Sequence, residues 1–362
     1  MVVVEMTSKT PSYRYSEGGS FSFFMETYDK PFKTYEELIE IMRSRHIEVN
    51  NKEFAILAMQ NFSYYGIVNG YKNTFLQVPG TDCFIPGTQF EELYTLHIID
   101  TALNNILFKY ILYLEKALKS RLSYLISQKY GVYTDWNDFT CSNSSDYLYK
   151  NYYSNSNNRR SNILRSLKEQ VLYTHKNPSM EHYKQNKNHI PAWILTTNIT
   201  YGLAIEWYNI LKSDDKKAIC NSFITSFSLS DVEIKEFVRK TFDLTKEYRN
   251  KIAHGNRTFS VLPLPQLPKK QLLTLTYNTV SEEEYNNGMG QTNTMAVLLS
   301  LVTMLPDPYL FKNLFADLIN LIETYRDKHF NQRTVFEVLG FPNDLFSRLL
   351  ELYKKKYTDY TL

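Results

Sequence analysis

The chain has few of the residues that mark secreted, disulfide-stabilised proteins. Only 3 of its 362 residues are cysteine, and glycine and proline number 12 each. The cysteines Cys83, Cys141 and Cys220 lie far apart, and their spacing matches neither a disulfide framework nor a metal-binding motif. A reducing compartment is therefore the simpler expectation, with the cysteines as ordinary core or surface residues.

Long apolar runs are also missing. The longest, 295–305, is too short to cross a bilayer, and residues 1–11 show no positive segment followed by an apolar stretch. We therefore expect a cytoplasmic protein with no membrane partner. The formal net charge of +3 is too small to indicate nucleic-acid binding by itself.

Aromatic residues, in contrast, are abundant. The chain contains 29 tyrosines and 22 phenylalanines, and 43% of its residues are hydrophobic. This composition can bury a large core in one or two domains. Most of the aromatic side chains are expected in that core, although exposed ones offer faces on which bases can stack.

The spacing of apolar residues predicts an all-α protein. Apolar side chains recur at steps of three and four, as on the buried face of a helix. The expected helices cover residues 34–46, 51–62, 90–130, 163–173, 192–212, 231–254 and parts of 292–357. The Asn- and Ser-rich stretch 146–162 is expected to be a long surface loop, and the Pro-rich stretch 262–268 marks a boundary.

One helix end carries a group of polar residues that suits phosphate chemistry. The segment 247–255 reads Glu-Tyr-Arg-Asn-Lys-Ile-Ala-His-Gly, with Gly255 as the predicted C-terminal cap. Asn250 and His254 are one helical turn apart, and the long side chain of Arg249 can reach both. The negative end of the helix dipole favours a protonated His254.

These residue types are sufficient for cleavage of RNA by its own 2′-hydroxyl. His254 is the candidate acid or base, because imidazole titrates near neutrality. Arg249 is the candidate for stabilising the charge of the transition state, and Asn250 would orient His254 or a phosphate. No Asp/Glu/His constellation accompanies the motif, so we expect neither a metal nor another cofactor. The Arg-x4-His spacing alone is common and proves little.

The motif and its surroundings resemble a known family. Residues 249–254 are similar to the Arg-Asn-x-x-x-His signature of HEPN ribonucleases, and the wider chain resembles Abi-like abortive-infection proteins of the AbiD/AbiF type. The segments that carry this resemblance, in the order of the family, are 30–46, 61–71 with its Tyr-Tyr and Gly-Tyr pairs, 87–94, 110–122, and 191–193 followed by 201–202. Many relatives have a second His where this chain has Gly255, whereas Arg257 matches the Arg that usually follows.

The resemblance implies both a fold and a function. It implies a HEPN-type helical bundle at 31–261, preceded by a tail at 1–30 and followed by a linker at 262–291 and a helical region at 292–362. It also implies a metal-independent endoribonuclease toxin that aborts phage infection and is bound by a small structured non-coding RNA. A composite HEPN site uses two facing motifs, so the active form is expected to be a homodimer.

Further residues are candidates for supporting roles. Glu115 and Arg121 are expected on a helix beside the motif, either in the second layer of the site or as a structural pair. The candidate RNA contacts, each with packing or solvated charge as the alternative, are Tyr64, Tyr65, Asn69, Tyr71, Arg159 and Arg160. His175, His182 and His189 recur every seven residues, but Asn177-Pro178 interrupts a helix there, so solvated histidines are favoured over a metal site.

Two other functions remain open at this stage. The same Arg249 and His254 would allow a HEPN protein to bind RNA without cutting it, because both tasks need charge-assisted contacts to phosphate. A purely structural adaptor is the third possibility, and it leaves the three polar residues unexplained.

Overall fold

Helices make up almost all of the regular structure. The computed structural model describes residues 30–156, 158–172, 177–253, 255, 257 and 264–357. The α-helices are α1 Tyr35–Ser44, α2 Lys52–Phe62, α3 Gly70–Phe75, α4 Phe90–Tyr130, α5 Arg160–Leu172, α6 Pro178–Asn186, α7 Ala192–Asn198, α8 Tyr201–Asn209, α9 Ser213–Phe223, α10 Asp231–Ala253, α11 Lys269–Leu275, α12 Glu282–Asn286, α13 Thr294–Met304, α14 Pro308–Glu323, α15 Val335–Val338 and α16 Leu345–Lys356. The prediction of an all-α protein is confirmed.

Four two-residue strands and two short helices of other types complete the elements. The strands are β1 Ile47–Glu48, β2 Thr88–Gln89, β3 His329–Phe330 and β4 Arg333–Thr334. β1 pairs in parallel with β2, and β3 pairs antiparallel with β4. A π-helix covers Tyr65–Asn69, and a 3₁₀-helix covers Lys150–Tyr152.

Local sequence signals determine where several helices begin and end. Thr34 Oγ1 accepts a hydrogen bond from Glu37 N at 3.2 Å, and Glu37 Oε2 accepts one from Thr34 N at 2.7 Å, which forms the predicted capping box of α1. Gly131 follows α4 with φ +80°, and Gly255 follows α10 with φ +74°. Glycine adopts these left-handed angles without a steric penalty, so both predicted helix ends are confirmed.

The chain divides into two compact units, at His97 and Ile98. In the first unit, β1 and β2 join the end of α1 to the start of α4, with Ile47 opposite Thr88. The ring of Phe54 on α2 packs edge-on against Tyr94, at a centroid distance of 4.9 Å. The core of this unit is therefore small and rich in aromatic side chains.

The second unit is organised around α10 and α13. Every residue of α13 is buried, which identifies the longest apolar run of the sequence as a central core helix. α13 packs against α10, and α9 and α11 contact α10 as well. α11 and α12 lie within the stretch 262–291 that was expected to be a linker. No helix in the described residues is both long enough and apolar enough to span a membrane.

Two expected elements differ from the structure. The single helix expected at 192–212 is two helices, because Thr200 starts α8 as a new N-cap, its Oγ1 accepting from Leu203 N at 3.2 Å. The stretch 146–162 is also not a solvated loop, since Tyr147, Leu148 and Tyr153 are buried. Tyr153 Oη donates to Tyr147 O at 2.8 Å and accepts from Trp207 Nε1 at 3.2 Å. The composition of the stretch does not reveal this burial, because polar residues surround the buried ones in the sequence.

A fully buried ion pair holds that stretch against α5. Lys168 Nζ contacts Asp146 Oδ2, and both side chains are completely buried. Lys168 also donates to Thr134 Oγ1 at 3.1 Å and to Asp135 O at 2.5 Å. Asp146 accepts from the backbone nitrogens of Asp135 and Leu148 at 3.0 and 2.7 Å. The many hydrogen bonds offset the cost of removing both charges from water.

We expect Lys168→Met to lower the free energy of unfolding by about 3–5 kcal/mol, because it leaves the Asp146 carboxylate buried without a counter-charge. Urea denaturation followed by circular dichroism measures this change. Arg165→Met is the matched control on the same helix, since the Arg165–Glu169 pair is exposed and contributes less than about 1 kcal/mol. Equal urea midpoints for the two variants would contradict the assignment.

Candidate functional site

The C-terminal end of α10 presents Arg249 and Asn250. The buried residues of this helix include Phe237, Phe242 and Tyr248, and they form one continuous apolar face. That face fixes the rotation of the helix, and Arg249 and Asn250 follow directly after its last buried residue. Both are partly buried, at the margin between core and solvent.

The guanidinium of Arg249 has few partners. It lies over the ring of Phe108, 5.8 Å from the ring centroid, and Nη1 donates to Asn250 Oδ1 at 3.4 Å. Its Nε is buried and has no hydrogen-bond partner, and no carboxylate of the described residues pairs with it. Arg348 shows the contrast, because its guanidinium binds both oxygens of Glu284 at 2.7 Å. Arg249 therefore retains donors that an anionic ligand could use.

Helix α4 supplies the residues that face this end of α10. Phe108 lies beneath Arg249, and Asn104, one turn earlier, has its Oδ1 3.4 Å from the hydroxyl of Tyr248. Asp100 lies another turn earlier on α4 and is only 1% exposed. A buried carboxylate and a buried amide on one helix face are uncommon, because each must be compensated by polar partners.

Asp100, Asn104 and Phe108 are the residues that the sequence reasoning missed. A signal was available, because Asp100 and Asn104 each follow directly after a buried apolar position, Ile99 and Leu103. Polar residues four apart beside an apolar stripe indicate a polar contact within the helix packing.

The other members of the predicted motif are placed as follows. His254 lies outside the described residues. Gly255, immediately after it, is exposed, and its nitrogen donates to Ile252 O at 2.8 Å. Arg257 is described and partly buried. The structure thus brings Arg249 and Asn250 together.

Glu115 and Arg121 lie on α4 but not at this end of α10. Glu115 Oε1 accepts from Lys119 Nζ at 2.6 Å, and Lys119 also donates to Ile199 O at 2.6 Å. Arg121 donates to Ser222 O, the penultimate carbonyl of α9, and stacks over Phe223 at 4.1 Å, and burial lowers its pKa. At a rise of 1.5 Å per residue, Glu115 is about 10 Å and Arg121 about 20 Å along the helix from Phe108. Glu115 Oε2 is buried without a hydrogen-bond partner, and a supporting role for either residue stays a prediction.

The four residues of the first unit that were predicted to contact RNA differ in how far they are buried. Tyr71 is buried, with its Oη 3.3 Å from His97 Nδ1, so it cannot stack on a base in this conformation. Tyr64 Oη accepts from Arg45 Nη1 at 3.1 Å, and burial raises its pKa. Asn69 is partly buried, whereas Tyr65 is 70% exposed. Among these four, Tyr65 is the most exposed.

Arg159 is exposed and directly precedes α5, and Arg160 is partly buried. Arg160 is the first residue of α5, and its Nη1 donates to Tyr153 O at 3.2 Å. Arg159 pairs with Glu206 at 3.2 Å. Both arginines therefore have partners within the chain, and their role as phosphate contacts stays a prediction.

The predicted histidine series does not form a metal site in the described residues. His182 is exposed on α6, and His189 Nδ1 lies 2.7 Å from Asn188 Oδ1. His175 lies outside the described residues. No group of three His, Cys, Asp or Glu side chains that could bind a metal occurs in the described parts of the chain.

Comparison with known proteins decides the family. Residues 57–260, more than half of the chain, match the family described as Abi-like protein. The chain belongs to the Abi-like family. Membership suggests a role in abortive-infection defence. The matched region of this Abi-like protein includes α4 and α10, and hence Arg249 and Asn250. Neither a curated protein nor a solved structure gives a significant match.

Proposed function

We propose that this Abi-like protein is a HEPN-type endoribonuclease toxin of the AbiD/AbiF kind, which cleaves RNA without a metal ion. The observation that carries the proposal is the guanidinium of Arg249, which is partly buried and belongs to an Arg-Asn-x-x-x-His motif; none of the carboxylates that the structure describes pairs with it. A structural arginine at such a position is normally paired, because an unsatisfied charged donor costs free energy. An anionic substrate supplies the missing partner.

The placement of Arg249 suits a phosphodiester group. The guanidinium lies over the ring of Phe108, 5.8 Å from the ring centroid, and this cation–π contact limits its motion. A guanidinium matches the oxygens of a phosphorane-like transition state with two parallel donors and does not lose its proton. Asn250 contacts Arg249 through Oδ1, so its amide NH₂ is available to a phosphate oxygen or to His254.

The proposed reaction begins at the 2′-hydroxyl of the substrate. In the proposed homodimer, one His254 takes the proton from this hydroxyl, the other His254 delivers a proton to the leaving 5′-oxygen, and the 2′-oxygen attacks phosphorus. The bond from phosphorus to the 5′-oxygen breaks, which leaves a 2′,3′-cyclic phosphate and a free 5′-hydroxyl. Each step uses only an imidazole, a guanidinium and the substrate.

The proposal includes a regulatory RNA and a second copy of the chain. A small structured non-coding RNA is proposed as the partner that holds the toxin inactive. Two motifs, one from each chain, would face each other in the active homodimer. Inhibition would then consist of keeping the two His254 side chains apart.

The chemistry of cleavage tests the proposal first. Cleavage of RNA by the purified protein should persist in EDTA and leave 2′,3′-cyclic phosphate ends, because the nucleophile is the substrate hydroxyl. An otherwise identical DNA should remain intact, since it lacks that hydroxyl. End-group analysis of the products measures both. Strict magnesium dependence, cleavage of DNA, or bound RNA with uncut ends would each contradict this mechanism.

Substitution of the motif tests the residue assignment. Arg249→Ala and His254→Ala should each lower the cleavage rate roughly 100-fold or more, because they remove charge stabilisation and proton transfer. Asn250→Ala should have a smaller effect. Single-turnover cleavage and toxicity in cells are the two measurements.

Matched controls come from the same protein. Arg239→Ala changes an exposed arginine on α10, and His182→Ala changes an exposed histidine on α6. Both variants should keep full activity, and all variants should melt within a few degrees of the parent. A His254→Ala protein that melts normally and stays fully toxic would overturn the assignment.

Assembly gives the third test. RNA-free protein should be a dimer by light scattering, and its cleavage rate should fall with the square of protein concentration below the dimer dissociation constant. Binding of the partner RNA should weaken steeply as salt rises, because counterions are released on association. An RNA-free monomer that cleaves at full rate would refute the composite site.

A further inference from the structure

A second uncompensated cation lies in the C-terminal half of the second unit. Lys356, the last residue of α16, donates to the carbonyl oxygens of Val302 and, at 3.2 Å, of Thr303, in the final turn of α13. No carboxylate of the described residues pairs with it, and burial lowers its pKa to about 7. Lys168, also buried, differs because Asp146 neutralises it.

Lys356 lines an open cavity of about 550 Å³, and so does Thr303, whose carbonyl oxygen accepts from the amino group of Lys356. The loop 224–228, the end of α11, Thr303 and Tyr357 form the rest of the wall. Lys356 is the only charged residue in this lining, which contains no aspartate or glutamate. The described lining is therefore favourable to an anion, since nothing in it repels negative charge.

Hydroxyl groups complete the polar part of the lining. Thr225 and Ser228 are exposed on the loop between α9 and α10, and their hydroxyl groups can donate to anionic oxygens. An ammonium and hydroxyl groups in the lining of one cavity are groups that suit the oxygens of a phosphate monoester. Two of the three N–H groups of Lys356 are used by backbone carbonyls, which leaves one for a ligand.

Two aromatic side chains contribute an apolar surface to the same cavity. Phe227 is fully exposed, and Tyr277 is 49% exposed. Tyr277 has φ +50°, a left-handed conformation that is uncommon for a bulky residue. Exposed aromatic rings beside phosphate-binding groups are typical of sites that stack nucleic-acid bases. The cavity also has the size of an ordinary small-molecule site.

We propose that this cavity binds a nucleoside monophosphate, with the phosphate at Lys356 and the base against Phe227 or Tyr277. The site is independent of the motif at Arg249. It adjoins the loop before α10, whereas Arg249 lies near the far end of that helix, about 30 Å away at 1.5 Å per residue. Its ligand is expected to be a free nucleotide, because the cavity has the size of a small-molecule site.

Isothermal titration of the full-length protein tests the proposal. The probes are the four ribonucleoside 5′-monophosphates, the corresponding nucleosides and inorganic phosphate. At least one monophosphate should bind, and its nucleoside should not, because the phosphate contact is lost. Lys356→Met should raise the dissociation constant of that monophosphate roughly 10- to 100-fold, which is the effect of losing a charged hydrogen bond.

Two further variants separate the parts of the site. Phe227→Ala changes a fully exposed residue, so folding should be unaffected. It should weaken the binding of the monophosphate roughly 5-fold or more and leave the binding of inorganic phosphate unchanged. Lys355→Met, the exposed neighbour, should bind like the parent. If Lys356→Met fails to fold, the affinity of Phe227→Ala for the monophosphate, compared with that of the parent, tests the proposal instead. The proposal is wrong if no monophosphate binds, if nucleosides bind equally well, or if both variants bind like the parent.

Discussion

The second unit depends on the burial of one long face of α10. Phe237, Phe242 and Tyr248 lie along it, and α13, every residue of which is buried, packs against the same helix. Each large apolar side chain that is buried contributes about 1.5–3 kcal/mol. A helix of 23 residues fixed in this way cannot rotate, because rotation would expose several of these side chains together. The side chains of α10, including Arg249, are therefore held in a fixed orientation relative to the core.

This constraint explains why the proposed site lies at a helix end. The apolar face stops at Tyr248, and Arg249 follows at the margin of the core, where its guanidinium meets Phe108. A rigid helix holds a charged group more accurately than a loop does. The same packing brings Asn104 of α4 to the hydroxyl of Tyr248. Core packing and site geometry therefore have one cause.

Structure that depends on a few neighbouring residues could be predicted from the sequence. Contacts between residues far apart in the chain could not. The capping box at Thr34 and the glycine at Gly255 require only local geometry, and both are confirmed. The burial of Asp146 depends on Lys168, 22 residues later, so composition suggested a solvated loop instead. Likewise, the motif at Arg249 was visible in the sequence, but its neighbours Asn104 and Phe108 are more than 140 residues away. The contacts of His254 lie outside the described residues.

The cations of the second unit show how stability and binding impose different requirements. A buried lysine that serves the fold, such as Lys168, is neutralised by a carboxylate and surrounded by acceptors. Arg249 and Lys356 are partly buried too, yet within the described residues neither has a carboxylate partner. Leaving a desolvated charge uncompensated lowers stability, so such a residue is retained most readily where an external anion completes its coordination. This argument supports both proposals, in which an anionic ligand pairs with Arg249 and another with Lys356.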